Sequence, residues 1–508
     1  MTVPMPPLRR SLQQAADAVA VRTQHSIAVA VATVLLLGAC ASTHGLSASA
    51  TPIDANALAT QRSLAGDVSA PFPTLAWWHA FGDPQLDALI TEALSAAPSL
   101  QAADARARQA QALAGLADAL RKPTLGLGAQ YTGVQIPQTM VPPPTGGEFK
   151  ASTVLMLDFK YAPDLWGGKR AKYAAAIGQA RAADADAQAA RLTLAANVAT
   201  AYIGLAHAFD ALDVANAEQA RSSRLSLLAR QRVTAGLDNQ SQLHQSEAMV
   251  AAARQQAQSA QQQIDSLRNA LAALLGQGPD RGLAIERPQL RANSTPMPAV
   301  VPSELLGHRA DVVAARWRVE AAARGIDASK ASFKPSINLN AIIGLAAPNL
   351  GDLFGTDALL GFGGPAVSLP IFDGGGLRSQ LAKSNADYDL AVAAYNQALV
   401  GALREVADAL QSMRSLDAQV VAASQARDAA QATWRIANDR LGAGLGNQLS
   451  VLVAQQPLLQ YDQQLAALRA QRRQAVVDLD RALGGGLDLL PPPSDNTSFN
   501  SSAKASTP

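Results

Sequence analysis

The chain of 508 residues repeats itself at an offset of about 210 residues, and this duplication limits its fold more than any other feature. Residues 99–123 align without a gap with residues 311–335, and both segments end in Lys-Pro. Residues 232–240 align in the same way with residues 440–448. Because the repeat covers nearly the whole body of the chain, it predicts one internally duplicated body rather than a set of separate domains.

Each repeat has the same predicted order of elements: a helix, a strand, a loop, a second strand, and two long helices joined by a glycine turn. The first repeat occupies residues 76–298, with strands at 124–136 and 151–161 and a long helical hairpin at 168–277. The second repeat occupies residues 299–490, with strands at 336–346 and 363–371 and a long helical hairpin at 374–484.

Glycine clusters stand where each second strand passes into a long helix. Residues 164–168 are matched with residues 371–375 in the repeat. No phosphate-loop signature surrounds these glycines, so they are interpreted as strand-to-helix turns. The residues concerned are Gly167, Gly168, Gly374 and Gly375.

Apolar and small residues recur along the hairpin helices at spacings of three and four, which is the pattern of a coiled-coil seam. Residues 168–235 are almost uninterrupted, and a helix of that length would be on the order of 100 Å long. The sequence therefore predicts helices that bridge two compartments. The seam positions are Leu194, Val198, Ala201, Leu205, Ala208 and Leu212 in the first copy, and Leu399, Leu403, Val406, Leu410, Met413, Leu416 and Val420 in the second.

The four predicted strands have about the length of a transmembrane β-strand, roughly 9 to 11 residues. Ile337, Leu339 and Ile343 alternate onto one face of the third strand. Four strands cannot close a membrane barrel, because closure starts near eight strands and an open edge in lipid is costly. The predicted fold is therefore mainly α with membrane β: a trimeric, 12-stranded barrel with four strands per chain, continued by an α-helical barrel. Residues 137–150 and 347–362 become its outward-facing loops.

The N-terminus has the features of an export signal. An apolar run at residues 27–39 follows Arg22, and it is too short to span a bilayer permanently. The run ends in Leu-Gly-Ala-Cys, which looks like a bacterial lipobox, so residues 1–39 are predicted to be a signal peptide and Cys40 to carry a covalent lipid. The alternative is a buried cysteine behind an ordinary signal peptide.

Segments of low periodicity flank the body. Residues 40–75 are rich in Ala, Ser, Thr and Pro and are predicted to form a flexible tether after the lipidated cysteine. Ser42 stands where an acidic residue commonly signals retention at the inner membrane, which favours delivery to the outer membrane. Residues 491–508 are predicted to be a disordered tail.

The residues of an enzyme or a metal site are missing from the sequence. The six histidines show no ligand spacing, and Cys40 is the only cysteine, so no disulfide or cysteine-based metal cluster can form within the chain. A formal net charge of +2 is low for a nucleic-acid partner. The Trp77-Trp78 pair is interpreted as packing or an interface anchor rather than a ligand platform. We expect no enzymatic activity, no metal and no cofactor other than the covalent lipid.

Together these residues resemble the TolC-like outer membrane factor family, and in particular its lipoprotein branch that serves RND-type efflux systems. The resemblance covers nearly the whole mature chain. The matching motifs are Trp77-Trp78 with Phe81, Asp83-Pro84 and Leu86; Lys330-Ala331 to Pro335-Ser336-Ile337; and Gly364-Pro365 through Leu369-Pro370-Ile371-Phe372-Asp373-Gly374-Gly375.

The resemblance implies a lipid-anchored homotrimer in the bacterial outer membrane that extends into the periplasm and passes substrates out of the cell unchanged. It also implies three kinds of contact: with a periplasmic adaptor protein, with an inner-membrane RND-type pump, and with outer membrane lipid. In the family, the tips of the two long hairpins dock on the adaptor. The tip motifs map here onto Arg232, Gly236 and Leu237, and onto Arg440, Gly444 and Leu445.

The chain departs from the family pattern at two places. Ala310 replaces a proline in an Arg-Pro-Asp motif, which leaves the helix start but removes its stiffening. Many relatives narrow the periplasmic end with carboxylates after the second tip, whereas Ser450 and Val453 occupy that stretch here and the next acid is Asp462. An acidic gate at this tip is therefore not expected.

A proline also distinguishes the two hairpins. Pro457 lies about 13 residues beyond the second glycine turn, while the equivalent position in the first copy is Met249. Proline in a helix interior removes a hydrogen bond and bends the helix. The hypothesis is a kink at Pro457 that helps the tunnel end constrict and open.

Two other functions remain possible from the residues alone. A coiled-coil envelope lipoprotein without a pore would share the lipobox and the helices but would have no need for the four strands. An envelope hydrolase would need a polar constellation that the sequence does not contain. The sequence therefore favours an outer-membrane channel of a tripartite efflux system.

Overall fold

The computed structural model describes residues 42–60, 62, 73–144, 146–291 and 307–486. The predicted signal peptide, Cys40 and the predicted tail at 491–508 lie outside these residues. The described chain forms two compact units. Of the described residues, the sheet unit contains those up to Thr51, Ala110–Ala180 and Arg318–Ala393, and the helical unit contains the others.

The sheet unit contains one antiparallel sheet of four strands in the order β1-β2-β3-β4. Among the described strands, β1 and β4 each have a neighbour on one side only. The register sets Leu127 opposite Leu157, and Leu157 opposite Ile343. The strands are β1 (Thr124–Gln135), β2 (Phe149–Tyr161), β3 (Ser336–Ala347) and β4 (Leu359–Ser368).

The last strand differs most from its predicted range, 363–371. β4 begins at Leu359, because residues 359–362 pair with β3 up to Leu345. It ends at Ser368 because Pro370 lacks an N–H donor and restricts the residue before it. β2 also begins earlier than the predicted 151, whereas β1 and β3 differ from the predicted 124–136 and 336–346 by one residue at one end.

The helices repeat their lengths as well as their order. Helices α3 and α7 each have 67 residues, and α4 and α8 each have 35. The duplication seen in the sequence is therefore also a duplication of the fold. The described helices are α1 (Pro84–Ala96), α2 (Pro98–Ala119), α3 (Gly168–Thr234), α4 (Gln240–Leu274), α5 (Pro279–Leu283), α6 (Ala310–Ala331), α7 (Gly376–Gly442) and α8 (Gln448–Ala482).

The predicted seams form the core of the helical unit. Val198, Leu205, Val406 and Leu410 are all fully buried in one cluster with residues of α1, α4 and α8. α3 includes a window long and apolar enough to cross a membrane by length and composition, and 56% of that window is buried inside the fold. Its hydrophobicity is accounted for by core packing.

The tryptophan pair belongs to this core. Trp77 and Phe81 lie in a short 3-10 helix and are almost completely buried. Asp83, two residues after Phe81, caps α1. Its carboxylate accepts hydrogen bonds from the Tyr202 hydroxyl (2.8 Å) and from the backbone N–H of Gln289 (2.7 Å). Burial and the neighbouring Asp83 carboxylate raise the pKa of Tyr202. The packing interpretation of Trp77-Trp78 is therefore confirmed for Trp77.

The flexible tether predicted for residues 40–75 is wrong for the part that the structure describes before residue 61. Ala55 is buried, and Asp54 caps the 3-10 helix Ala55–Ala57. Asn396 of α7 accepts a hydrogen bond from the backbone N–H of Ile53. The Ala- and Ser-rich composition gave no sign of this ordering, because the partners lie more than 300 residues further along the chain.

An ion-pair cluster fixes the start of α6. The guanidinium of Arg309, only 7% exposed, contacts the carboxylates of Asp311 (2.6 Å) and Glu405 (2.9 Å) and donates to the carbonyl of Ala482 (3.1 Å). Burial raises the pKa of Asp311, but the hydrogen bond and charge of Arg309 lower it by more, so that the pKa is below its usual value. These contacts stabilise the start of α6, where this chain has Ala310 in place of the proline of the family motif.

Replacing Arg309 with leucine is expected to destabilise the helical unit by about 3 kcal/mol, because two carboxylates and a carbonyl lose their buried partner. The midpoint of thermal unfolding, followed by circular dichroism, should fall by several degrees. Arg324→Leu is the matched control, since the ion pair of Arg324 within the described chain is a long, exposed contact of 3.6 Å with Asp327. Equal midpoints for the two variants would contradict this role for Arg309.

Candidate functional sites

The four strands form a sheet with two chemically different faces. Every pairing joins odd-numbered residues to odd and even-numbered to even, so each face holds residues of one parity. The odd face is apolar, and its exposed side chains include Leu127 (74%), Ile343 (65%) and Val367 (69%). All charged side chains of the four strands lie on the even face, namely Lys150, Asp158 and Lys160, together with Asn338 and Asn340.

This sheet has the pattern of a water-filled membrane barrel, in which lipid-facing and lumen-facing residues alternate. A soluble sheet would cover its apolar face with other elements. Here β4 is exposed along its whole length, as is nearly all of β1. The alternation predicted for β3 from Ile337, Leu339 and Ile343 is confirmed by the register.

The glycine clusters form the turns between the sheet and the long helices. Gly167, Gly374 and Gly375 have positive φ angles (76°, 64° and 88°), which favour glycine over any other residue. Gly168 begins α3, and a Cβ atom there would lie 2.8 Å from the Cβ of Ala331. α7, however, begins at Gly376. The predicted match of residues 164–168 with 371–375 is therefore wrong by one residue.

An aspartate caps each of these helices. Asp164 accepts hydrogen bonds from the backbone N–H groups of Lys169 (3.1 Å) and Arg170 (2.7 Å). Burial raises the pKa of Asp164, but the two N–H groups and the nearby cations lower it below its usual value. Asp373 accepts from the N–H groups of Gly375 and Leu377. The cap lies four residues before α3 but three before α7.

The two hairpin tips have the same backbone structure. In the first, the N–H of Leu237 donates to the carbonyl of Arg232 (2.8 Å), and Gly236 has a φ of 73°. In the second, the N–H of Leu445 donates to the carbonyl of Arg440 (2.8 Å), and Gly444 has the same φ. This is the Schellman motif, in which glycine lets the chain leave the helix. After each turn an asparagine caps the next helix.

The side chains of the two tips differ. Arg232 forms a two-point ion pair with Asp238, at 2.6 and 3.1 Å, whereas Gly446 occupies the equivalent position in the second tip. The hydrogen bond and charge of Arg232 lower the pKa of Asp238. Within the described chain no carboxylate lies within salt-bridge distance of Arg440, which donates only to the carbonyl of Leu445 at 3.4 Å. Both tip leucines are exposed, Leu237 at 67% and Leu445 at 71%.

The arm that follows the second tip is uncharged and apolar on its exposed side. Leu449 and Val453 are 39% and 58% exposed, and Ser450 is exposed beside them. The first acid of this arm, Asp462, is held by the guanidinium of Arg427 at 2.9 Å. The stretch in which an acidic gate was not expected thus presents hydroxyl and hydrocarbon groups.

A buried arginine near this arm was missed by the sequence analysis. Arg221 of α3 is 2% exposed, binds Glu218 through two hydrogen bonds (2.6 and 2.7 Å), and donates to the carbonyl of Leu452 in α8 (3.2 Å). It therefore joins the two hairpins. The second repeat has Ala429 at the position equivalent to Arg221. This difference between the repeats was the signal in the sequence that could have singled out Arg221.

Pro457 lies inside α8, which continues through it to Ala482. Because proline has no N–H, the carbonyl of Val453 lacks its usual helical donor. Met249, at the same place in α4, keeps its N–H. The helix is therefore unbroken at Pro457, with one hydrogen bond fewer than its counterpart in the first hairpin. Among the described residues there is no group of His, Cys, Asp and Glu side chains able to hold a metal ion.

An amphipathic sheet with two open edges, joined through glycine turns to paired long hairpins, defines a subunit of a membrane channel. The chain belongs to the outer membrane efflux protein family, whose sequence model matches residues 89–277 and 301–485. These two matches fall in the two repeats. The structure thus agrees with the resemblance found from the sequence motifs.

Individual relatives cover most of the chain. The fusaric acid resistance protein FusA of Burkholderia cepacia is 38% identical over 377 residues, 72% of this chain and 70% of that protein. The pyoverdine export outer membrane protein OpmQ of Pseudomonas aeruginosa is 32% identical over 466 residues, 89% of this chain and 95% of that protein. The crystal structure of the outer membrane protein VceC of Vibrio cholerae has a TM-score of 0.74 and 38% identity, covering 82% of this chain and all of that chain (100%).

These findings establish the class of function. The chain is an efflux channel protein of the outer membrane, and its relatives are transport proteins of that membrane rather than enzymes. The alternative of a coiled-coil envelope lipoprotein without a pore is not supported, because that alternative has no use for the amphipathic sheet.

Proposed function

We propose that three copies of the chain form one channel in a tripartite efflux system, which conducts substrates passively from the periplasm to the exterior. The observation that carries the proposal is the sheet with an apolar odd face, a polar even face and two open edges. β1 of one copy pairs with β4 of the next, so that 12 strands close a barrel without an unpaired edge. The even face, with Asp158 and Lys160, lines the water-filled interior.

The hairpin tips are the contact with a periplasmic adaptor protein. Leu237 and Leu445 supply exposed apolar groups on rigid turns, and apolar side chains of this kind anchor protein interfaces. Energy comes from an inner-membrane RND-type pump, because the chain itself has no nucleotide-binding signature. FusA is named for resistance to fusaric acid, and OpmQ is named for the export of pyoverdine. They support small organic molecules as the cargo class here.

A covalent lipid on Cys40 anchors the chain to the outer membrane. The lipobox-like Leu-Gly-Ala-Cys sequence supports this assignment, as does Ser42 after it. The chain carries no other cofactor and performs no chemical step on its cargo.

Native mass spectrometry of the detergent-extracted protein, with planar-bilayer conductance on the same sample, tests the proposal. We expect a trimer whose chains lack residues 1–39, carry the mass of a lipid, and conduct ions. A monomer that keeps its helicity and does not conduct would contradict closure by shared strands. A conducting trimer without added lipid mass would contradict the anchor alone.

Replacing Pro457 with alanine is expected to lower the open probability of the channel. Alanine restores an N–H donor to the carbonyl of Val453 and is a far better helix former than proline, by about 3 kcal/mol, so the arm becomes stiffer. Single-channel recording measures the change. Gln456→Ala is the control, since Gln456 is exposed and its backbone already donates. Unchanged current and open probability in Pro457→Ala would remove the gating hypothesis.

A further inference from the structure

The segment at residues 42–58, here called the N-terminal strap, lies against α7. Near the start of that helix, the guanidinium of Arg378 donates to the carbonyls of Ser42 (2.7 Å) and His44 (3.4 Å). Three turns further on, Asp389 accepts from the backbone N–H of Ser49 (2.9 Å), from its hydroxyl (3.0 Å) and from the N–H of Ala50 (2.8 Å). A single carboxylate thus binds three donors of the strap.

The far end of the strap is held in the helical unit. Asn396 accepts a hydrogen bond from the N–H of Ile53 at 2.9 Å. Ala55 is 2% exposed, and Leu58 packs against the main hydrophobic core. Charged and amide side chains of one helix therefore bind mainly backbone groups of the strap, with the Ser49 hydroxyl as the one side-chain donor among these contacts.

The contacts also set the direction and length of the strap. The helix rises about 16 Å between Arg378 and Asp389, and an extended chain from Ser42 to Ser49 reaches at most about 25 Å. The strap is therefore longer than the distance it has to span, and a turn in which Gly45 has a φ of 76° accommodates part of the excess length. The strap and α7 run in the same direction, so Ser42 is held beside the first turn of the helix, directly after the strand-to-helix turn.

We propose that Arg378 and Asp389 form a docking site for the strap, and that this site fixes the height of the lipid anchor at the membrane-side end of α7. The inference rests on the proposed lipid at Cys40. That residue precedes Ser42 by two positions, so the chain cannot carry the anchor more than about 7 Å from it. A docked strap places the anchor where β4 ends and α7 begins, which is where acyl chains must enter the inner leaflet beside the barrel.

Asp389 contributes most to this site. The N–H of Ala50, and after it the donors of Ser49, lower the pKa of Asp389 below its usual value although burial acts in the opposite direction. Its neighbour Asp387 faces solvent, and its ion pair within the described chain is with Lys383, at 2.7 Å, four residues away on the same helix. Asp387 is therefore a matched control two positions from the site.

A spin label on Thr43→Cys, in the full chain reconstituted in vesicles that contain a nickel-chelating lipid, tests the proposal. We expect an immobilised spectrum and strong relaxation by headgroup nickel. Asp389→Ala should release the strap, giving a mobile spectrum, while nickel relaxation stays strong because the lipid on Cys40 keeps residue 43 within about 11 Å of the anchor. Asp387→Ala should change neither. Asp389→Asn keeps one acceptor oxygen, so its label should have a mobility between those of the parent and Asp389→Ala. This variant serves as the test if Asp389→Ala does not assemble.

Equal mobility in Asp389→Ala and in the parent, or weak nickel relaxation in the parent, would overturn the proposal. The unsubstituted chain distinguishes this from a failure of lipidation. Because Cys40 is the only cysteine, uptake of label by that chain would show a free thiol and contradict the lipid, whereas the mobility of the strap would still report on docking at Asp389.

Discussion

Replacing Ile343 with lysine is expected to abolish the trimer. Ile343 lies on the apolar face of β3, 65% exposed, and a lysine there would meet hydrocarbon in every copy. A cation near the middle of the lipid-facing surface of a barrel costs about 2 to 4 kcal/mol per chain. Since each of the three chains carries the lysine, the free-energy cost of forming the trimer is three times the cost per chain. Native mass spectrometry of the outer membrane extract should show the trimer peak of the parent and no trimer for the variant.

The matched control is Asn340→Lys, three residues earlier in the same strand and on the polar face. A lysine there faces water and joins Lys160, which is its partner across the β2-β3 pair. We expect a trimer in normal amount with lower cation conductance. If Asn340→Lys failed to assemble and Ile343→Lys assembled, the assignment of the two faces would be reversed.

Replacing both tip leucines, Leu237 and Leu445, with aspartate is expected to stop efflux while leaving the channel intact. Truncating or charging an anchor residue at an interface costs about 2 kcal/mol or more. Two such losses should weaken adaptor binding by at least a hundredfold. Binding of a purified periplasmic adaptor, measured by surface plasmon resonance, and cargo export in cells report the two effects. Planar-bilayer current should stay at the parental level.

Leu227→Asp is the control for the tip variant. Leu227 is 59% exposed on α3, about two turns before the tip, so it matches the exposure and chemistry of the tip leucines. Unimpaired adaptor binding by the tip variant would contradict docking at the tips. A loss of binding in Leu227→Asp of equal size would move the contact from the tips to the sides of the hairpin.

The parts of the fold that sequence analysis found are those with local causes. Alternation of Ile337, Leu339 and Ile343 marks a strand because residues two apart share a face. Gly236 and Gly444 mark the tips because the turn needs a positive φ. The seam of Val198 and Leu205 follows from helical periodicity. Each signal is contained in a few neighbouring residues, and each is repeated about 210 positions away.

The missed features depend on contacts between distant residues. The composition of the strap predicts a tether, because its contacts with Asp389 lie more than 300 residues away and leave no trace in its own sequence. Arg221 is marked in the sequence by the break in the repeat at Ala429, but its acceptor, a backbone carbonyl of another hairpin, is not. The early start of β4 at Leu359 depends on pairing with β3 rather than on its own composition. Long-range hydrogen bonds to backbone groups leave no pattern in a single sequence.

The unequal tips have a consequence for symmetry. In a threefold assembly the two tips of each chain alternate around a ring of six. In one tip the arginine is neutralised by Asp238, and in the next Arg440 has no carboxylate partner among the described residues. A partner built of six identical subunits would meet two kinds of neighbour in strict alternation. Its subunits would then be sorted into two conformational classes by the channel, so a single partner sequence would have to satisfy two local chemistries at once.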